Sequence, residues 1–294
     1  MNQISSRHHY LPIYYLKEFT NDEGKLWVFD KQKHIVNPKP KSPKSIFFEW
    51  NRNATYLGSE KFDWLETLYS GLDDSMAIEF NKVAKLDQQV NSESEQIQLI
   101  FKIIHFANFI RWRVPARDEI VYKLYDRYEI GELSLQVVNN STKEIVNNPE
   151  FNNFLKNQDV FRKAQASALV WEPWNDFEHI KSVTDNTVLL TGNTIPTLIC
   201  DNPFIEEAMS QNVEKLPEFF FPISSNKIAY YLENRKETGL DSKASLLFEL
   251  AKIESALKYV ACRDREILEY FVDCYKTHWN KEKSFAKELF DYIK

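Results

Sequence analysis

The densest group of residues that could carry chemistry is Arg7-His8-His9-Tyr10, near the start of the chain. Two adjacent imidazoles on irregular backbone can both bind a metal ion, or one can act as a general base while the other binds an anion. A histidine pair can equally be structural or lie at the surface. Because Pro12 favours the first turn of a helix, the pair is predicted to stand just before a helix start.

An apolar run over residues 97–112 indicates a buried helix that ends or bends at Pro115. His105 and Asn108 lie three residues apart on this helix and therefore project from one face. Buried polar groups need partners, so these two side chains form either a satisfied core network or one wall of a site.

Two arginines, Arg111 and Arg113, stand near the end of the same run. A guanidinium near a helix end presents a rigid fork that suits a carboxylate or a phosphate. The alternative is an ion pair with an acidic residue of the chain, such as Glu66 or Asp201.

Asp201-Asn202-Pro203 directly follows a predicted strand. Since proline holds the preceding residue extended, Asp201 is expected at a sheet edge, where catalytic residues are often found. The same three residues are also good turn formers. A further polar segment, residues 31–45, holds five lysines, three prolines and no acidic residue. It is predicted to be an exposed loop that either tracks a phosphate backbone or is simply solvated.

The elements that position these residues change in type along the chain. Residues 25–30 and 34–36 are rich in β-formers and predict an N-terminal hairpin, whereas helical periodicity dominates residues 59–180. Three short strands are then predicted over 188–191, 197–200 and 227–232, the first two joined by a turn at Gly192-Asn193. Helices over 242–262 and 264–277, and a short helix near the end, complete the prediction.

This order predicts an α+β fold with an antiparallel sheet built from N-terminal and C-terminal strands, a large helical insertion and C-terminal helices. A lone N-terminal hairpin is at best marginally stable and needs the later strands beside it. Residues 1–294 are therefore expected to form a single α+β domain in which 59–180 is the mainly helical insertion.

Composition excludes several classes of protein. The 294 residues are 43% hydrophobic with a formal net charge of −6, which predicts a soluble folded protein rather than a disordered one. The six glycines are too few and too scattered for Rossmann or P-loop phosphate-binding loops, so no nucleotide cofactor is expected. Three cysteines without a CxxC pair argue against disulfides or a thiolate zinc site and favour the cytoplasm. Neither a secretory signal nor a membrane-spanning stretch is expected.

Several segments together resemble a widespread bacterial domain-of-unknown-function family. Residues 8–19, HHYLPIYYLKEF, are similar to its opening His-Tyr-x-Pro-x-x-Tyr-Leu-x-x-Phe motif, and residues 26–31 to the strand that follows it. Residues 113–115 are similar to its Arg-Thr-Pro, 198–203 to its Ile-Thr-Ser-Asp-Asn-Pro, and 221–224 to its Phe-Pro-Leu-Ser. The chain departs from the family pattern near Asn108, where glutamine is frequent, and at Cys200, where serine is preferred.

The resemblance selects His8, His9, Arg113, Asp201 and Asn202 as one catalytic set. The family has no settled activity, but its members occur as stand-alone genes among anti-phage defence loci, which implies a cytoplasmic defence effector. In a first hypothesis the set is a hydrolytic, nuclease-like site acting on nucleic acid or a nucleotide. His8, His9 and Asp201 would then bind Mg²⁺, Mn²⁺ or Zn²⁺ or do acid–base work, and Arg113 would stabilise charge on phosphate.

The second hypothesis is a non-enzymatic sensing or binding protein that recognises a phage protein. The same histidine, arginine and aspartate side chains would then form a structural network that pins the N-terminal segment against the sheet. No membrane partner is expected under either hypothesis, and the oligomeric state is left open.

Overall fold

The chain has the mixed α+β architecture that its changing patterns predict. The computed structural model describes residues 6–57, 60–84, 93–127, 138–139, 141–146, 148–156, 169–191, 195–210, 212–233, 239–280 and 282–294. Over these ranges the strands are β1 (Arg7–His9), β2 (Trp27–Asp30), β3 (Ile35–Val36), β4 (Phe48–Trp50), β5 (Thr55–Leu57), β6 (Glu60–Phe62), β7 (Thr187–Thr191), β8 (Ile199–Cys200), β9 (Phe219–Ser224), β10 (Lys227–Tyr231) and β11 (Tyr259–Cys262). The helices are α1 (Ile13–Lys17), α2 (Trp64–Ala84), α3 (Glu93–Arg113), α4 (Asp118–Arg127), α5 (Pro149–Lys156), α6 (Phe177–Asn186), α7 (Ser242–Ser255), α8 (Arg265–His278) and α9 (Phe285–Ile293).

A four-stranded antiparallel sheet joins the two ends of the chain. Its strand order is β3-β2-β11-β8, with Phe29 opposite Val260 and Val260 opposite Cys200. The residues of β11 and β8 are buried or nearly so, which explains their apolar composition. The prediction that N-terminal and C-terminal strands share one antiparallel sheet is confirmed.

A second sheet has the order β7-β10-β9, also antiparallel. All residues of β9 and β10 are buried, so the run Phe219-Phe220-Phe221 needs no polar alternation. Two smaller ladders pair β1 with β4 and β5 with β6.

The core anchors the N-terminal segment between the helices and the second sheet. The Tyr15 ring on α1 lies 5.4 Å from Phe80 of α2, 5.1 Å from Phe106 of α3 and 5.6 Å from Phe221 of β9, measured between ring centroids. Its hydroxyl donates to the carbonyl of Pro222 at 2.6 Å. Tyr15 and Leu16 of α1, and Phe19 just after it, are fully buried, so one face of this segment packs into the core. Across the described ranges, no helix is long and apolar enough to cross a bilayer.

Three local predictions are wrong. The predicted helix over 242–262 ends at Ser255, and residues 259–262 form β11, because their apolar side chains are buried in the central sheet. The strands near 188–191 and 197–200 are not a hairpin, since β7 pairs with β10 while β8 pairs with β11. Gly192-Asn193, the predicted turn between them, lies outside the described residues. The helical region opens with the β5–β6 ladder, and α2 begins only at Trp64.

Candidate functional site

His8 is held inside the β1–β4 ladder, where it lies opposite Glu49. Its side chain is fully buried, and Nδ1 accepts a hydrogen bond from the backbone N–H of Asn53 at 2.8 Å. The Asn53 amide donates in turn to Glu66 Oε2 at 2.7 Å, and the same oxygen lies 3.7 Å from His8 Nδ1. The Nδ1 lone pair is therefore used by the protein itself rather than directed at a ligand.

His9, the next residue of β1, is half-buried and packs its ring 5.6 Å from that of Phe48. Burial lowers the pKa of His9, and the positive charges of Arg113 and Arg7 lower it further. The imidazole is therefore neutral at pH 7. Its Nε2 is buried and has no hydrogen-bond partner of normal geometry among the described residues, and backbone groups of Lys44 and Pro43 beside the ring oppose part of the fall in its pKa.

Arg113, the last residue of α3, ties the N-terminal strand to α2. One Nη donates to Asp73 Oδ1 at 2.6 Å and the other to the carbonyl of His9 at 2.7 Å. The guanidinium lies over the rings of Tyr69 and Phe109, at 4.8 and 5.2 Å from their centroids. Burial raises the pKa of Asp73, and the neighbouring guanidinium opposes that rise. The expected ion pair exists, but its acid is Asp73 rather than Glu66 or Asp201.

Asp201 follows β8 at the sheet edge and is 3% exposed. Its Oδ1 accepts the backbone N–H of Leu257 at 2.8 Å, and its Oδ2 accepts those of Lys258 and Tyr259 at 2.7 and 2.8 Å. Burial raises the pKa of Asp201, while these three N–H groups and nearby Lys31 oppose the rise. The carboxylate thus fixes the backbone that links α7 to β11.

Lys31 is one of the lysines of the predicted exposed loop. It holds the backbone at the end of α7, next to the segment that Asp201 binds. Its ammonium donates to the carbonyls of Ile253, Glu254 and Ala256 at 2.7–2.8 Å. The carbonyls of Ile253 and Glu254 belong to the last turn of α7, where carbonyls lack partners within the helix, and the carbonyl of Ala256 directly follows it. We call residues 256–258 the α7–β11 connection. Lys31 binds two carbonyls just before it and the carbonyl of its first residue. Asp201 binds the N–H groups of its last two residues and of Tyr259.

The predicted site residues are therefore brought together only in part. Arg113 contacts His9 directly, and Asp201 lies near enough to Tyr10 to raise the pKa of that phenol further, burial being the main cause. Asp201 makes its hydrogen bonds to the α7–β11 connection, and Asn202 lines a separate cavity with Arg117. Within the described ranges, no group of three or more histidine, cysteine, aspartate or glutamate side chains is arranged to hold a metal ion.

The sequence leaves two roles open for His105 and Asn108 of α3, a hydrogen-bonded core network or the wall of a site, and each residue takes one of them. Asn108 is buried and its amide donates to the carbonyl of Val170 at 2.9 Å, as in a core network. His105 instead lines a pocket, with its ring 4.8 Å from Trp171 and 5.1 Å from Trp174. Burial lowers the pKa of His105 to about 4, so its imidazole is neutral at pH 7.

This aromatic pocket has a volume of about 460 Å³. It lies between α2, α3 and residues 171–174, and the ion pair of Glu79 with Lys102 stands at its edge. Its apolar wall is formed by Leu72, Met76, Phe80, Val83, Phe101, Ile103 and Phe106. A volume above about 300 Å³ with mostly apolar walls and a few polar groups is typical of a small-molecule site.

A family model described as a protein of unknown function, DUF4238, matches residues 7–245. The chain belongs to this family. Comparison with curated proteins and with solved structures finds no match. The DUF4238 match covers β1, Arg113, Asp201 and the aromatic pocket, whereas the α7–β11 connection lies beyond its end.

Sequence reasoning missed the residues whose roles depend on distant partners. Lys31 stands in a lysine-rich segment that gives no sign of its three carbonyl partners. The pair Trp171 and Trp174 carried a weak signal, because two indoles three residues apart can share one face of a helical turn.

Proposed function

We propose that this member of the DUF4238 family is a non-enzymatic sensing protein, in which the histidine, arginine and aspartate cluster is structural. The supporting observation is that both carboxylate oxygens of Asp201 are occupied by three backbone N–H groups of its own chain. A carboxylate that binds a metal ion or moves a proton needs a free lone pair near the substrate. Asp201 directs three of its roughly four lone-pair positions at the backbone N–H groups of Leu257, Lys258 and Tyr259 instead.

The ligand that we propose is a flat aromatic ring system, such as the base of a nucleoside or nucleotide, bound in the aromatic pocket. The rings of Trp171 and Trp174 offer stacking faces, and stacking on aromatic side chains tolerates many bases. A neutral imidazole carries one N–H donor and one acceptor, so His105 can pair with the polar edge of a heterocycle. Long nucleic acid is disfavoured, because the protein is acidic overall and the pocket wall is largely apolar.

Titration of the full-length protein with nucleosides, followed by tryptophan fluorescence, tests this proposal. We expect saturable quenching by at least one of adenosine, guanosine, cytidine and uridine, and none by ribose, which lacks the ring. The variant His105→Ala should weaken binding about tenfold, the loss of one good contact. Trp50→Phe, which changes an exposed indole on β4, is the matched control and should bind normally. Absence of quenching by every nucleoside would remove this ligand class.

The biological setting that we propose is anti-phage defence in the cytoplasm, with the bound ligand or a phage protein as the signal. Phage plating on cells that express the wild-type chain or His105→Ala measures it. Protection that depends on His105 supports the sensing role, whereas no protection by the wild type against a broad phage panel contradicts the defence setting.

A hydrolytic site is the second candidate, because His9 Nε2 has no hydrogen-bond partner of normal geometry among the described residues and lies on the residue whose carbonyl Arg113 binds. Calorimetric titration with Mg²⁺, Mn²⁺ and Zn²⁺, and incubation with RNA, DNA and nucleotides, distinguishes the two. Metal binding or cleavage that His9→Ala abolishes without a change in melting temperature would favour the hydrolase over the sensing protein.

A further inference from the structure

A separate cavity of about 230 Å³ lies where the end of the α3 region meets the chain after β8 and the start of α9. We call it the arginine cavity. Its polar wall comes from Arg117, Asn202, Glu206, Ser255 and Ser284, and Phe204 contributes an aromatic face. It shares none of its lining residues with the aromatic pocket.

Two buried arginines share a single carboxylate beside this cavity. Arg111 is 0% and Arg117 1% exposed, and both donate to Glu206, Arg111 to Oε2 at 3.2 Å and Arg117 to Oε1. The pKa of Arg111 is lowered to about 10, mainly by burial; Glu206 opposes this fall and the neighbouring guanidinium of Arg117 adds to it. At pH 7 two positive charges therefore face one negative charge in a buried setting, where an uncompensated charge is costly.

The other acidic residues of the wall are already engaged. Glu254 Oε2 accepts from the Ser284 hydroxyl and from the backbone N–H groups of Phe285 and Ala286. Glu207 pairs with Lys294 at 2.8 Å. The side-chain bonds of both carboxylates are therefore directed away from Arg111 and Arg117: Glu207 pairs with Lys294, and Glu254 binds neutral donors at the start of α9.

The unused polar atoms define what the cavity can bind. Arg117 Nε and Nη1 are buried donors without a hydrogen-bond partner among the described residues. Asn202 is 2% exposed, and its Oδ1 is a buried acceptor that also has no hydrogen-bond partner among the described residues. A complementary ligand must accept two N–H bonds with a negatively charged group and donate one O–H bond.

We propose that the arginine cavity binds a small oxyanion that carries its own hydroxyl group, either hydrogen phosphate or a small hydroxycarboxylate. The anionic oxygens would accept from Arg117, and the hydroxyl would donate to Asn202. A volume below the roughly 300 Å³ of ordinary drug-sized pockets suits such an anion or anionic group rather than a whole nucleotide. This site does not depend on the proposed sensing function of the aromatic pocket.

Isothermal titration calorimetry on the full-length protein at pH 7 tests the proposal with inorganic phosphate and with glycolate. Sulfate and acetate are the matched controls, because they resemble these anions but carry no hydroxyl at this pH. We expect saturable 1:1 binding of phosphate or glycolate, and binding of the matched control at least about ten times weaker, as the loss of one such hydrogen bond predicts. The arm that binds identifies which of the two oxyanions the cavity takes.

Three variants separate the site from general charge effects. Arg117→Lys keeps the charge but loses the planar fork, and should weaken binding about tenfold. Asn202→Ala should remove the preference for the hydroxyl-bearing anion. Arg263→Gln, which changes an exposed arginine, should have no effect. Thermal melting checks that each variant is folded. If Arg117→Lys does not fold, the anion preference of Asn202→Ala alone tests the proposal. Absence of saturable binding by both probes, or an unchanged anion preference in Asn202→Ala, overturns the proposal.

Discussion

Removal of the Asp201 carboxylate should destabilise the whole fold, because it fixes the α7–β11 connection beside the central sheet. The three backbone bonds that it accepts are 2.7–2.8 Å long. A hydrogen bond to a charged group contributes about 1.5–3 kcal/mol, so the full set would be worth more than about 4 kcal/mol. Leu257 is 51% exposed, so water replaces part of what is lost. We therefore expect Asp201→Ala to lower the free energy of unfolding by about 3 kcal/mol.

The isosteric change Asp201→Asn should cost less, about 2 kcal/mol, because one acceptor oxygen remains while the new NH₂ group faces a backbone donor. Urea unfolding followed by tryptophan fluorescence and circular dichroism measures both changes from the midpoint and the slope. Asp22→Asn is the matched control, since the Asp22 side chain is 99% exposed and its ion pair with Arg263 lies at the surface. Its effect should stay within about 0.5 kcal/mol. A change of that small size for Asp201→Ala, with loss of phage protection, would refute the structural role and favour a catalytic one.

Three further predictions concern Arg113, Lys31 and His105. Arg113→Met should cost about 3 kcal/mol in urea unfolding because it leaves the half-buried Asp73 carboxylate without its partner, and the double variant with Asp73→Asn should recover at least about 1 kcal/mol of that loss; fully additive losses would contradict the pairing. Lys31→Met keeps the aliphatic stem but leaves three carbonyls unpaired, so it should cost about 2 kcal/mol, whereas the exposed Lys25→Met should change stability by less than about 0.5 kcal/mol. His105 has a pKa of about 4 in the folded protein against the usual 6.5 of an exposed histidine, so it binds its proton more readily when unfolded, and stability should fall by about 2–3 kcal/mol as the pH drops from 6.5 to 4; in His105→Phe this part of the pH dependence should vanish, and parallel stability curves for the two proteins would exclude it.

The local pattern predicts the elements whose stability comes from a regular apolar face. The helix over α1 and the strands around Trp27 and Ile228 follow from alternation or helical spacing that ends in buried side chains. The long-range consequence, a sheet that joins both ends of the chain, follows from the need of a lone hairpin for neighbours. These predictions depend on periodicity alone, which the sequence contains.

The errors arise where pairing over a long distance decides the structure. No glycine or proline before residues 259–262 marks the end of the preceding helix, so the sequence predicts that the helix continues through them. In the structure these residues form β11, which pairs with β2 on one side and with β8 on the other. In the same way, the sequence leaves a ligand or an acid such as Glu66 or Asp201 open as the partner of Arg111 and Arg113, whereas the acids that they bind are Glu206 and Asp73. Many acids satisfy the chemistry, and only the packing of the helices selects among them.

A buried charged residue that fixes backbone and one that meets a ligand are of the same chemical type, so motif reasoning alone cannot separate them. What separates them is whether their polar atoms already have partners inside the chain. Asp201 and Asn202 are adjacent in the chain, yet they differ in whether their side-chain oxygens have partners. Asp201 has both oxygens occupied by backbone N–H groups, whereas Asn202 Oδ1 is buried beside a cavity with no partner among the described residues. The Asp-Asn-Pro segment thus joins two roles: its aspartate holds the fold, and its asparagine is the residue from which a binding function is best sought.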